Sequence, residues 1–318
     1  MRVALVLGSG GARGYAHIGV IDALRERGFD IVGISGSSMG ALVGALQAAD
    51  NLDEFTSWAS ALTQGAVLRL LDPSLTAAGV LRADKILDAV REIIGPRTIE
   101  SLPIPYTAVS TDLIAGKSVW LQRGPIDAAI RASIAIPGVI APHLLDGRLL
   151  ADGGILDPLP MAPVAAVNAD LTIAVSLNAS DPTPPPHSPR PTAELLNRMR
   201  RSTTSLIDRA AASALLDTPT ARSVLSRFSN AVDVFDHAES EGDDPPVPRL
   251  GGFEVMNRTI EISQAALMRH TLAAYPPDLL IDVPRTVCRS LEFYRASEVI
   301  EIGHELACAA LDSLDIGD

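Results

Sequence analysis

Twice near its start the chain runs from a short apolar stretch through a glycine-rich turn into helix-like sequence. Val3 to Leu7 reads as a buried strand, Gly8 to Gly14 as a turn, and Tyr15 to Glu26 as a helix stopped by Gly28. Ile31 to Ser35, Gly36 to Gly40 and Ala41 to Ala49 repeat the pattern. Strands separated by helices pair in parallel through crossovers, so the expected class is α/β with a mainly parallel sheet. In such a sheet the turns that follow parallel strands gather at one edge, where these folds bind ligands. Both glycine turns are therefore expected side by side. Thr107 to Ser110 and Ser118 to Leu121 read as a hairpin around Ala115-Gly116-Lys117, and Leu171 to Leu177 and Leu279 to Val283 as further strands.

Punctuation changes after the Leu171 strand. Ala179 to Pro191 holds six prolines, and Glu239 to Pro248 is an acidic loop that also contains proline. Between them Thr192 to Leu216 reads as an amphipathic helix, with Leu195, Met199, Leu206 and Ala210 on one stripe and Arg198, Arg200, Arg201 and Arg209 adding charge. Two readings stand for it: a helix packed on the core, or a cover that meets acyl chains and headgroups. Residues 179–254 are expected as an inserted helical or loop cap on one α/β domain spanning 1–318.

The first sharp chemical signal is Gly36-Ser37-Ser38-Met39-Gly40, a G-x-S-x-G pattern between a predicted strand and a predicted helix. That context lifts a serine hydroxyl clear of the sheet on a strained turn, which suits a nucleophile; a plain structural turn is the alternative. The second is Gly8-Ser9-Gly10-Gly11-Ala12-Arg13-Gly14, whose backbone N–H groups can face an anion, either a nucleotide phosphate or a reaction oxyanion. A dinucleotide site expects G-x-G-x-x-G and an acidic residue closing the second strand. Here Gly8, Gly10 and Gly14 are spaced differently and that strand closes on Ser35-Gly36, so the oxyanion reading is favoured.

A serine hydroxyl needs a base. His17, inside the first helix, reads as a packing residue, and His143 lies on a stretch that could border the site. Asp152, in Ala151-Asp152-Gly153-Gly154, is the other candidate, although aspartate before two glycines is first of all a turn signature.

These motifs, in this order, resemble the patatin-like phospholipases, in particular short bacterial members related to the catalytic domain of neuropathy target esterase. Gly10-Gly11-Ala12-Arg13-Gly14 is similar to the family's oxyanion-hole loop, and Gly36-Ser37-Ser38-Met39-Gly40 to its nucleophile elbow. Arg131-Ala132-Ser133-Ile134-Ala135-Ile136-Pro137-Gly138 is similar to the loop ahead of the catalytic aspartate, Asp152-Gly153-Gly154 to the D-G-[GA] motif, and Phe293 to Gly303 to the closing helix. The resemblance covers roughly residues 1–178 and 255–311. It implies a three-layer α/β/α fold, a Ser38–Asp152 dyad without catalytic histidine, and acyl transfer from a lipid or other acyl ester through an acyl-serine. Arg13 is then expected to fix the glycine loop or bias its field.

Other classes fit less well. An α/β-hydrolase triad places its elbow after several strands, and Ser38 comes too early. A scaffold on an inactive fold has no need of serine, aspartate and glycine loop together. A net charge of −12 repels nucleic acid and disfavours anionic headgroups. Cys288 and Cys308 read as buried reduced thiols, and no Cys/His cluster has metal-ligand spacing, so neither metal nor organic cofactor is expected. No leader or membrane-spanning stretch is read, which leads to an expected cytoplasmic location with transient contact at a membrane surface.

Overall fold

The computed structural model describes residues 1–70, 84–179 and 252–314 of the chain. The element order is β1 (Arg2–Leu7), α1 (Ala16–Glu26), β2 (Asp30–Ser37), α2 (Met39–Ala48), α3 (Leu52–Ser60), α4 (Gln64–Leu70), α5 (Asp84–Ile94), β3 (Tyr106–Asp112), β4 (Lys117–Leu121), α6 (Ile126–Ser133), β5 (His143–Leu145), β6 (Arg148–Asp152), β7 (Leu171–Ala179), α7 (Gly252–Ala274), β8 (Leu279–Pro284) and α8 (Ala296–Asp312). Among the described residues they form one sheet in the order β5-β6-β3-β2-β1-β7-β8, with β4 paired to β3. β3, β2, β1, β7 and β8 run parallel; β4 and β6 pair antiparallel with β3, and β5 with β6.

β1 shows why the middle of the sheet is apolar on both faces. Val3, Leu5 and Leu7 join the main core with Ile18, Ile21 and Leu24 of α1, Leu46 of α2 and Val299 of α8. Ala4 and Val6 point the other way, against Leu159, Met161, Val164 and Met268 of α7. Helices thus lie on both faces, the expected three layers. Each fully buried leucine, isoleucine or valine contributes about 1.5–3 kcal/mol. α1 and α8 meet at two glycines: a Cβ on Gly19 would lie 2.0 Å from the Ile300 carbonyl oxygen, and one on Gly303 2.2 Å from that of Ala16.

The strands read from sequence all form, each within two residues of its expected ends, and the hairpin forms between β3 and β4. Three differences carry physical content. The expected glycine turn winds as a tight helical turn, Gly11–Tyr15, that takes in Tyr15, so α1 starts one residue later than read. Arg131 to Ser133 close α6, so only the part from Ile134 onward is loop. The β5–β6 hairpin was not anticipated; it turns on Asp146 and Gly147, both at positive φ (50° and 74°), the geometry that an Asp-Gly pair supplies most readily. The cap region and the Thr192 to Leu216 helix fall, apart from their bounding residues in β7 and α7, outside the described residues. No helix among the described residues is long and apolar enough to cross a membrane.

Candidate active site

β2 delivers Ser38 to the edge of the sheet. Its backbone sits at φ 55°, ψ −122°, a left-handed conformation that costs a non-glycine residue about 1–3 kcal/mol. The turn is tight enough to forbid side chains on its flanks. A Cβ on Gly36 would lie 2.3 Å from the Gly40 carbonyl oxygen, and one on Gly40 2.1 Å from that of Leu7. The Ser38 N–H donates to Ser133 Oγ at 2.9 Å, and Ser133 Oγ donates to the Val109 carbonyl at 2.6 Å. Ser133 therefore ties the elbow to β3 from the end of α6.

β6 runs against β3 and brings Asp152 to the same place, opposite Ser110. Ser38 Oγ donates to Asp152 Oδ2 at 2.5 Å, across 114 residues of sequence. The other carboxylate oxygen accepts from the Gly154 N–H at 2.7 Å, which fixes the rotation of the group. Both side chains are buried. Burial pushes the Asp152 carboxyl up to about 6, against the lowering effect of its two hydrogen bonds. A carboxylate at that value is still mostly ionised at neutral pH and is a better base than an exposed aspartate.

The histidines stand elsewhere. His17 Nε2–H donates to the Gly8 carbonyl at 2.8 Å, and burial holds the ring down to about 4, so it packs and supports the loop as a neutral group. His143 lies in β5, paired to Leu150. Among the described residues no histidine lines the cavity that Ser38 opens into.

The glycine loop follows β1 at the same edge. The Ala12 N–H donates to the Ser290 carbonyl at 2.9 Å, and the turn's own i→i+3 bonds use the N–H groups from Arg13 onward. Among the described residues nothing accepts from the N–H groups of Gly10, Gly11 or Met39. Gly11, Ser38 and Met39 line one cavity. Arg13 is 5% exposed. Its guanidinium holds the Gly10 carbonyl (3.3 Å), Ser290 Oγ (3.4 Å) and Glu261 Oε1 on α7 (3.2 Å), so it fixes the loop. Ser133, Ser290 and Glu261 were missed from sequence. Ser133 lies inside a motif already singled out, but the partners of Arg13 carry no local signature.

The cavity is apolar and encloses about 770 Å³, solvent at its mouth included. Phe55 and Trp58 of α3, Val67 and Leu70 of α4, and Ile134 and Val139 after α6 supply much of its wall. Tyr15 packs between Phe55, tilted at 33°, and Phe293, edge-on at 89°, with ring centroids 6.4 and 6.2 Å away. A carboxylate-bonded serine lining such a cavity can attack an ester whose acyl chain lies along the wall. Among the described residues no group of His, Cys, Asp and Glu is arranged to hold a metal ion.

Comparison with known proteins gives a family match. The model of the patatin-like phospholipases matches residues 5–165. An NTE family protein of Mycobacterium tuberculosis is 67% identical over the whole of this chain and 93% of its own length. Patatin-like phospholipase domain-containing protein 6 of Homo sapiens is 33% identical over 57% of this chain and 14% of its own length. Neuropathy target esterase sws of Drosophila melanogaster is 32% identical over 57% of this chain and 13% of its own.

Proposed function

The chain belongs to the patatin-like phospholipase family, and on that premise we propose that it is a serine esterase that removes acyl chains from phospholipids, lysophospholipids or related lipids. The observation that carries the reading is the 2.5 Å hydrogen bond from a strained Ser38, which lines an apolar cavity, to a buried Asp152. Asp152 takes the Ser38 proton as Oγ attacks the ester carbonyl carbon. The oxyanion is held by the N–H groups of Gly10, Gly11 and Met39, which point charge at oxygen without reorganising. The proton returns to the leaving alcohol, and acyl-Ser38 remains. Water, deprotonated by Asp152, then attacks that ester; the fatty acid leaves and Ser38 recovers its proton. Gly36 and Gly40 keep the elbow tight, Ala12 and Gly14 shape the glycine loop, and Arg13 holds it against α7. Residues 1–318 form one hydrolase domain, with 179–254 as its insertion. No metal or organic cofactor takes part, and the protein meets its lipid from the cytoplasmic side.

Ser38→Ala and Asp152→Asn should each lower turnover of a soluble aryl ester by about 10³-fold or more, and the double variant should be little worse, because residues acting as a unit do not lose additively. Circular dichroism should be unchanged. Wild-type turnover in the Ser38→Ala protein would end the proposal.

A further inference from the structure

Three strands finish in a row of leucines that acyl chemistry does not use. Leu144 pairs with Leu149, and the Leu113 N–H donates to the Leu149 carbonyl at 2.9 Å. Leu113, Leu149 and Leu144 therefore stand side by side on one face, beyond the end of β3 at the edge where Ser38 sits. Their neighbours Leu150 and Leu145 face the other way and pack with Val119 and with Ala132 of α6. Leu113 is 43% exposed and Leu144 69%; Ile114, at the tip of the β3–β4 hairpin, is 82% exposed. Trp120, opposite Val109, shares the leucine face and is 46% exposed. It lies about 13 Å back from the tip, four residues along the ladder.

The charges at this end are set out for a phosphate surface. Lys117 and Arg148, at the bases of the two hairpin tips, are exposed and form no ion pair among the described residues. The Asp112 carboxylate, opposite Lys117, accepts from the N–H groups of Ile114 and Ala115 at 2.9 Å each, and these bonds together with the charge of Arg148 hold its carboxyl low. Asp146 is the exposed carboxylate of the β5–β6 turn. The rest of the molecule is acidic, with a net charge of −12, so like-charge repulsion disfavours other faces from approaching headgroups.

We propose that the paired tips of β3–β4 and β5–β6 are a membrane-docking wedge for a phospholipid bilayer. Ile114, Leu113 and Leu144 enter the apolar margin, Trp120 sits at headgroup depth, where indole rings prefer to lie, and Lys117 and Arg148 meet lipid phosphates. The wedge rests on the lipid-hydrolase reading and adds where that lipid is met. Two convex tips fit a deformable lipid surface better than the flat, complementary face of a second copy of this chain.

The test is co-sedimentation of the full chain with phosphatidylcholine vesicles, with and without phosphatidylglycerol. Ile114→Asp with Leu144→Asp should lower binding to both vesicles by about tenfold or more, the loss expected from two inserted side chains. Lys117→Gln with Arg148→Gln should lower binding mainly where phosphatidylglycerol is present. None of these residues belongs to the acyl-transfer machinery, so turnover of a soluble aryl ester and the melting temperature should hold. If the aspartates unfold the tips, serine at both positions gives the same readout. The wedge is overturned if wild type binds neither vesicle, if the double aspartate variant binds as wild type does, or if the substitutions instead dissolve a dimer. A wild type that binds vesicles but leaves the soluble ester intact would keep the wedge and remove the esterase reading.

Discussion

At Ser38 and Asp152 the backbone strain and the buried carboxyl are both costs, and they meet at one hydrogen bond. The pH dependence follows from the carboxyl. With Asp152 at about 6, kcat/KM for a soluble ester should rise with pH through that value, because the base must be ionised. The stability effect has the opposite sense. The folded-state value lies above the unfolded one, near 3.8, so the folded protein holds the proton more tightly and stability is lost as pH rises from about 4 to about 6. Asp157, which burial also raises to about 6, adds to the same window. Asp152→Asn should therefore melt higher than wild type at pH 8, by up to about 3 kcal/mol, and gain little at pH 4. Equal melting shifts at the two pH values would contradict this. His143→Gln should leave the esterase rate unchanged, since its ring has no place in the cavity. The nucleophile was legible because G-x-S-x-G carries its own local context. The base was not legible from local pattern: Asp152-Gly153-Gly154 reads equally as a turn, and resemblance, not spacing, paired it with Ser38.

Two elements far from the elbow hold the site in register. α7 reaches the glycine loop through Glu261 and Arg13. Glu261→Gln should weaken that pair, cost about 1–3 kcal/mol, and lower kcat by about tenfold or more with KM little changed, because the loop's N–H groups lose their aim. A change confined to KM would show instead that α7 serves only binding. α8 packs on α1 at Gly303, and Gly303→Val should lose about 1–3 kcal/mol or more, because the new methyl groups have no space beside Ala16. The specific activity of the protein that stays folded should hold. Sequence showed β1, β2, the first two helices and the β3–β4 hairpin, since each carries a glycine boundary or a strong apolar run. It passed over α3 to α6, where charged and apolar residues mix, and it passed over the β5–β6 hairpin, although Asp146-Gly147 is a strong hairpin signal. That omission mattered, because β6 carries Asp152.

Across the whole molecule, the five parallel strands place the β1 and β2 turns together, and the antiparallel addition of β6 supplies the base from the other direction. The helices after β2 close an apolar wall beyond the serine, and the hairpin tips extend the same edge toward solvent. Parallel class and the neighbouring turns were readable at the start, because crossover geometry allows few alternatives, whereas the three layers came from the family resemblance. The wall was not, since its residues come from separate segments that only tertiary packing joins. The central claim is that Ser38 carries the acyl group while Asp152 moves its proton. Its most direct test is peptide mapping by mass spectrometry after brief reaction with a soluble aryl ester, quenched in acid. One acyl mass is expected on the peptide holding Ser38, absent from Ser38→Ala and strongly reduced in Asp152→Asn. An acyl group on another residue, or undiminished labelling in the Ser38→Ala protein, would contradict it.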